Sequence, residues 1–324
     1  MILAEMLKNK PGLFPAFNSL PKKHQMQIIN GYASGCDISM LEQLELPTVA
    51  LRSLEKLDKE KLEHYILHTI YDVSGAAAGF KANGSLTMHE ETWSFFINLR
   101  KNLLALHDKQ SASIESIYQD YLDYRGSCIG VSNSNPENAA LIRIAGLARL
   151  ATKEHGEYLY TAWNKLTSDE KKILTKELNI HGAKGERAIF VGYGVAMLVN
   201  PQVSLKRLHG RVVNHEGLYI GLKYLAHAFK ITRDLIGNDS SNKLFVAGCD
   251  SIARALSKNP LQLVKDNQIT NRLEVTGRNE RKISFQLVPI EPPKVEKLPL
   301  VASSVFAAND ASQEERQTPN NKFI

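Results

Sequence analysis

Helix-start signals recur along this chain and constrain its fold more than any other feature. Thr87-Met-His-Glu90 and Thr167-Ser-Asp-Glu170 each set a threonine three residues before a glutamate. That reciprocal pattern satisfies the free N–H groups at a helix start. Asn135-Pro136-Glu137 supplies a cap, a first-turn proline and a first-turn acid. Behind Glu90 come Trp93, Phe96, Ile97, Leu103 and Leu104 at helical spacing, and Leu218, Leu222, Leu225 and Phe229 share one face of a segment from Gly217 to Ile236. Further helices are expected over Pro21 to Ala33, Lys59 to Val73, Ser113 to Tyr124 and, as two shorter pieces, 243–266.

Strand signals are confined to one place. Leu273-Glu-Val275 and Ile283-Ser-Phe285-Gln-Leu287 alternate apolar and polar around Gly277, which predicts a β-hairpin packed on a helical body. From Glu291 the chain turns to proline, serine, asparagine, glutamine and glutamate, with few periodic apolar positions. Such a segment buries too little surface to offset its ordering entropy and reads as a disordered tail. The expected fold is therefore mainly α: a multi-helix globular body, a small C-terminal hairpin and the tail. The stretch 126–135, rich in glycine, serine and asparagine, is the linker candidate. It divides an N-terminal helical region (1–125) from a C-terminal one with the hairpin (136–290), as two domains or one, with the tail at 291–324.

Composition narrows the class. Hydrophobic residues make 43% of the 324, enough for a buried core. The longest apolar stretch, Val191 to Val199, is too short to cross a bilayer, and the N-terminus lacks the basic-then-apolar order of a secretory signal. No membrane association is expected. Cys36, Cys128 and Cys249 are odd in number and unpaired by spacing, which fits a reducing cytoplasm. The net charge of +6 is spread out, without the dense basic stripe and interleaved aromatics of a nucleic-acid binder.

The residues that point to chemistry are few. His64, His68 and Asp72 recur at i, i+4, i+8 on one expected helix. Neighbours there lie about 6 Å apart along the axis and an adjacent pair can share a metal, while the ends, about 12 Å apart, cannot. The stripe Leu62, Ile66, Ile70, Val73 lies nearly opposite, so the histidines face either solvent or a cleft. His107-Asp108 closes another helix, and His107 continues the apolar face of Phe96, Leu103 and Leu104, which predicts that it points inward. His209 and His215 lie near Lys206, Arg207 and Arg211, where a phosphate or simply water can be held. The glycine-punctuated Gly79-Phe-Lys-Ala-Asn-Gly84-Ser85 lacks the lysine of a phosphate loop.

A histidine, then a His-Asp dyad after an apolar run, then a later aspartate resembles the histidine–aspartate metal-dependent phosphohydrolases. On that resemblance His64 or His68 stands for the first histidine and His107 with Asp108 for the dyad. Asp120, Asp123 or Asp234 stands for the last ligand. The pattern departs from the family where Lys109-Gln110 follow the dyad in place of an apolar residue and a glycine. The resemblance implies a helical enzyme that holds manganese, iron or zinc on mixed imidazole and carboxylate ligands. The metal would activate a water against a phosphate-containing small molecule. The alternative is a non-catalytic helical protein that docks a protein partner. Its tail, with Glu314-Glu315 in a polar small-residue C-terminus, resembles the export signals of bacterial type IV secretion substrates. That would imply delivery into a host cell.

Overall fold

The start signals at 135–137 and 167–170 each open a helix. In the computed structural model, which describes residues 2–33, 38–75, 88–108, 112–182, 186–209, 215–237 and 244–290, Asn135 accepts the Asn138 N–H at 2.9 Å and α9 runs over Pro136–Leu147. Thr167 and Glu170 bond reciprocally at 3.3 and 2.8 Å to start α11, Ser168–Leu178. Thr87 and the loop 76–87 lie outside the described residues, as do Cys36 and the tail 291–324 with its export-signal reading.

The other helices are α1 (Ile2–Asn9), α2 (Pro15–Asn18), α3 (Lys22–Ala33), α4 (Ile38–Glu42), α5 (Thr48–Leu51), α6 (Lys59–Gly75) and α7 (Glu90–Asp108). After them come α8 (Ile114–Ile129), α10 (Lys153–Asn164), α12 (Gly194–His209), α13 (His215–Ile236) and α14 (Asp250–Lys258). Residues 1–290 form one compact unit. The stretch expected as a linker is built into that unit. Gly126 to Ile129 is the last turn of α8, and Gly130 ends it at φ +73°. Gly126 is held in close packing: a Cβ there would lie 2.4 Å from the Val131 carbonyl oxygen. Glycine at that point serves close approach as well as turning.

The strands correct the expectation of two helices over 243–266. Phe245–Gly248 is a strand, β2, and pairs in parallel with β1, Ile189–Gly192. Short apolar runs of this kind do not distinguish strand from helix by periodicity. The short strands β3 (Val264–Lys265) and β4 (Gln268–Ile269) pair only with each other. The hairpin is β5 (Asn271–Arg278) against β6 (Lys282–Pro289), antiparallel, with a bulge between Val275 and Gly277. It does not stand alone, because β6 runs parallel to β2 and gives a four-stranded sheet in the order β1-β2-β6-β5.

One large apolar core joins α4 to α14 and the sheet. A separate small cluster, Leu7, Phe17 and Ile29, holds α1–α3 together. The expected apolar face of α13 proves wider than one stripe. From Gly217 to Ala226 every residue is buried, which makes α13 the central helix of the body. No helix among the described residues is long and apolar enough to cross a membrane.

Candidate functional site

A cavity of about 660 Å³ opens where seven helices converge. Glu42 from α4, Asp72 from the end of α6, and His89, Glu91 and Phe95 around the start of α7 line it. Arg125 of α8, Arg149 beyond α9 and His155 of α10 complete the charged wall, with Val203 of α12 at its edge. Two left-handed residues shape it. Leu44 (φ 54°) turns the chain after α4, and Arg149 (φ 57°) ends α9, where the Leu150 N–H reaches back to the Ala145 carbonyl at 2.8 Å. Gly146 lets these two turns meet, since a Cβ would fall 2.6 Å from the Gln43 carbonyl oxygen.

The turn at 42–45 leaves carbonyls that no helix satisfies, and two buried arginines donate to them. Arg143 gives hydrogen bonds to the carbonyls of Leu44, Glu45 and Leu178. Arg125, 2% exposed, donates from Nη1 to the Glu42 carbonyl at 2.6 Å and lies 3.8 Å over the Phe95 ring. Tyr121 donates to the same carbonyl at 2.8 Å. An arginine placed this way is largely committed to backbone and ring.

The Glu42 carboxylate is left poorly served by this arrangement. The residue is 7% exposed, and Oε1 meets Arg125 Nη1 only at 3.5 Å, longer than a charge-assisted hydrogen bond. Burial pushes the Glu42 carboxyl above the usual carboxylate range, with the charges of Arg125 and Arg149 opposing it only in part. The other polar groups are held differently. His155 Nδ1 accepts the Ala151 N–H at 3.2 Å, so the proton of the neutral ring sits on Nε2. The Arg149 guanidinium is exposed and, among the described residues, makes no ion pair or hydrogen bond.

The residues singled out as metal ligands do not meet here. His64 and His68 line another cavity, of about 320 Å³, between α3 and α6, together with His24, Leu20, Ile28 and Tyr71. The His24 and His64 rings are 6.2 Å apart. His107 is exposed rather than turned inward. The buried stripe of α7 is Phe96, Leu99 and Leu103, continued by Leu106, and one further residue rotates His107 about 100° away from it. Its neighbour is Asp58, whose carboxyl is held below the usual range mainly by Lys61 and only weakly by His107. The Asp108 side chain lies outside the described residues, and Asp120, Asp123 and Asp234 are exposed. Among the described residues no three His, Cys, Asp or Glu side chains group to hold a metal. The set His64, His68, His107 thus does not fit one ion. The loop 79–85 and the side chains of Arg207, His209 and Arg211 lie outside the described residues.

Sequence reasoning passed over Glu42, Arg125, Arg149 and His155. One signal was present: Arg143 interrupts the apolar run Ala140-Leu-Ile-Arg-Ile-Ala145, and Arg125 follows Tyr121-Leu122 on a buried helix face. A charge inside an apolar run marks a place where buried polar atoms need a donor.

The profile described as "Family of unknown function (DUF6829)" matches residues 1–246. The chain belongs to that family. No curated protein and no solved structure matches it. The match takes in every residue that lines the 660 Å³ cavity and stops inside β2, so the β5–β6 hairpin lies beyond it.

Proposed function

We propose that this protein holds a small polar molecule in the cavity walled by Glu42, Arg125, Arg149 and His155, and exchanges a proton with it through Glu42. The observation that carries the reading is the buried Glu42 carboxyl on the cavity wall, without a hydrogen-bond partner among the described residues other than the 3.5 Å approach of Arg125. Roomy pockets with a few converging polar groups are the usual small-molecule sites, and acids perturbed by burial are the usual proton carriers in them. A phosphate-containing substrate, as the resemblance to the histidine–aspartate phosphohydrolases implies, suits a cavity with two arginines. The manganese, iron or zinc of that family carries no part of this reading, because His64 and His68 line a different cavity.

The test is retention of small molecules. The purified chain is incubated with a cell metabolite extract, washed and denatured, and the released compounds are identified by mass spectrometry beside Val203→Trp, which fills the cavity mouth. A compound retained by the parent and lost by Val203→Trp is expected, with Glu42→Gln retaining it unconverted. A parent chain that retains nothing sinks the proposal.

A second reading, a non-catalytic protein that docks a partner, rests on the α3–α6 cavity. On its lining Leu67 is 38% exposed and Tyr71 72% exposed, beside Leu20 and Ile28. Exposed apolar surface of this kind suits the apolar face of a partner helix. Cross-linking in cells should recover a protein that is lost with Leu67→Glu and Tyr71→Glu; equal recovery with both variants would remove this reading.

A further inference from the structure

The two sides of the 660 Å³ cavity differ in charge. The α6–α7 wall brings Asp72, His89 and Glu91, whereas the α9–α10 wall brings Arg149 and His155. On the second wall both groups present donors that the fold leaves idle. Arg149 has no ion pair or hydrogen bond among the described residues, and the bond from Ala151 to His155 Nδ1 leaves Nε2–H available. After Arg125, Arg149 is the charge that acts most on the Glu42 carboxyl.

We propose that Arg149 and His155 seat the oxyanion end of the ligand, and that a proton settles on Glu42 as the oxyanion enters. This rests on the cavity being the small-molecule site. A negative group placed beside Glu42 favours its neutral form, since two like charges share one field. Protonation in turn removes the negative field of a buried carboxylate from Arg125 and Arg149 and makes the wall more positive for the ligand. The charged and titratable groups that share the cavity with Glu42 are Arg125 from α8, Arg149 after α9, His155 from α10, Asp72 from α6 and His89 with Glu91 at α7, and Tyr121 from α8 bonds its carbonyl. Burial already pushes the Glu42 carboxyl in the same direction, toward its neutral form. The body of the molecule then extends toward Asp72 and Glu91, which accept from hydroxyl or amino groups.

The experiment is isothermal titration of the intact chain with sodium sulfate and, separately, sodium acetate. The two arms stand for a phosphate-like and a carboxylate oxyanion, and neither anion titrates over the range used. At least one arm should bind saturably, with proton uptake seen as a dependence of the heat on buffer ionisation. Its affinity should fall by about tenfold per pH unit once pH passes the folded Glu42 pKa. Glu42→Gln should keep binding and lose both the proton uptake and the pH slope. Arg149→Gln should weaken it about tenfold or more, as loss of a charged hydrogen bond does. Absence of binding in both arms overturns the proposal, as does a pH slope that survives in Glu42→Gln or binding untouched by Arg149→Gln. If both arms fail while Val203→Trp still loses a retained metabolite, the oxyanion seat is wrong and the small-molecule reading stands.

Discussion

The layer α1–α3 and the body α8–α14 are written in similar helical language, yet they bury very different amounts. The N-terminal layer closes on Leu7, Phe17 and Ile29 alone and leaves Leu13 and Met26 in solvent. In the body, α9 is buried from Ala140 to Leu147 and α13 from Gly217 to Ala226. Among the described residues only the densely packed part buries charge. Arg125, Arg143, Glu177 and Lys223 are all buried there, and Glu42 of α4 is buried against Arg125, each beside carbonyls or an opposite charge. A thin layer lacks the fixed dipoles that make a buried charge tolerable. The proposed small-molecule site accordingly lies against the body, and the layer offers an apolar surface.

Five measurements can break or sharpen that contrast. Trp163 is fully buried and its indole N–H donates to Glu137 at 2.8 Å, so Trp163→Ala should cost about 3–5 kcal/mol in denaturant unfolding. A loss under 1 kcal/mol would mean that the body packs no better than the layer. Acid should act next. His181 is desolvated, and Arg143 beside it adds to the effect, so its pKa is pushed down to about 3. An unfolded imidazole takes its proton near pH 6.5, so the unfolded chain binds more protons between those values. Stability should therefore fall as pH drops below about 6.5, by up to about 1.4 kcal/mol per pH unit, and His181→Asn should flatten that slope. An unchanged slope in the variant would show that His181 is already charged in the fold.

Phe17→Ala should cost only about 1–2 kcal/mol, because the small cluster it leaves can collapse or admit water. Hydrogen exchange should also show α1–α3 opening well below the free energy of global unfolding. Exchange at the global rate would make the layer part of the main core. The smallest effect concerns Glu42. Its folded pKa is raised, so the folded state binds the proton more tightly, and the cost of an ionised carboxylate appears only as pH rises above the unfolded value. Glu42→Gln should give a small gain in melting temperature at pH 7 that vanishes at pH 4. A loss at pH 7 would show the Arg125 pair to be net stabilising.

Legibility differed between fold and site. The caps at Asn135 and Thr167 could be read because they act within four residues of backbone, and the hairpin because its alternation is local. The strand Phe245–Gly248 could not, since its partners are Ile189–Gly192 and Lys282–Ser284, far away in the chain. The histidines misled for a related reason. Spacing places His64 and His68 on one helix face, but what that face meets is α3, and His107 sits one residue past the turn that would have aimed it inward. Glu42 and Arg149 carry no local pattern at all. They become a candidate site only where α4 and α9 cross at Gly146.

By itself, then, the sequence determined the mainly helical class, the helix starts at Asn135 and Thr167, the hairpin and the lack of a long apolar span, because these follow from interactions between near neighbours. Tertiary structure alone decided that the chain up to residue 290 is one compact unit and that β1 and β2 build a parallel sheet. It also decided which carboxyl is stripped of water. Desolvation depends on every helix that surrounds a group, and no stretch of sequence around Glu42 records that arrival.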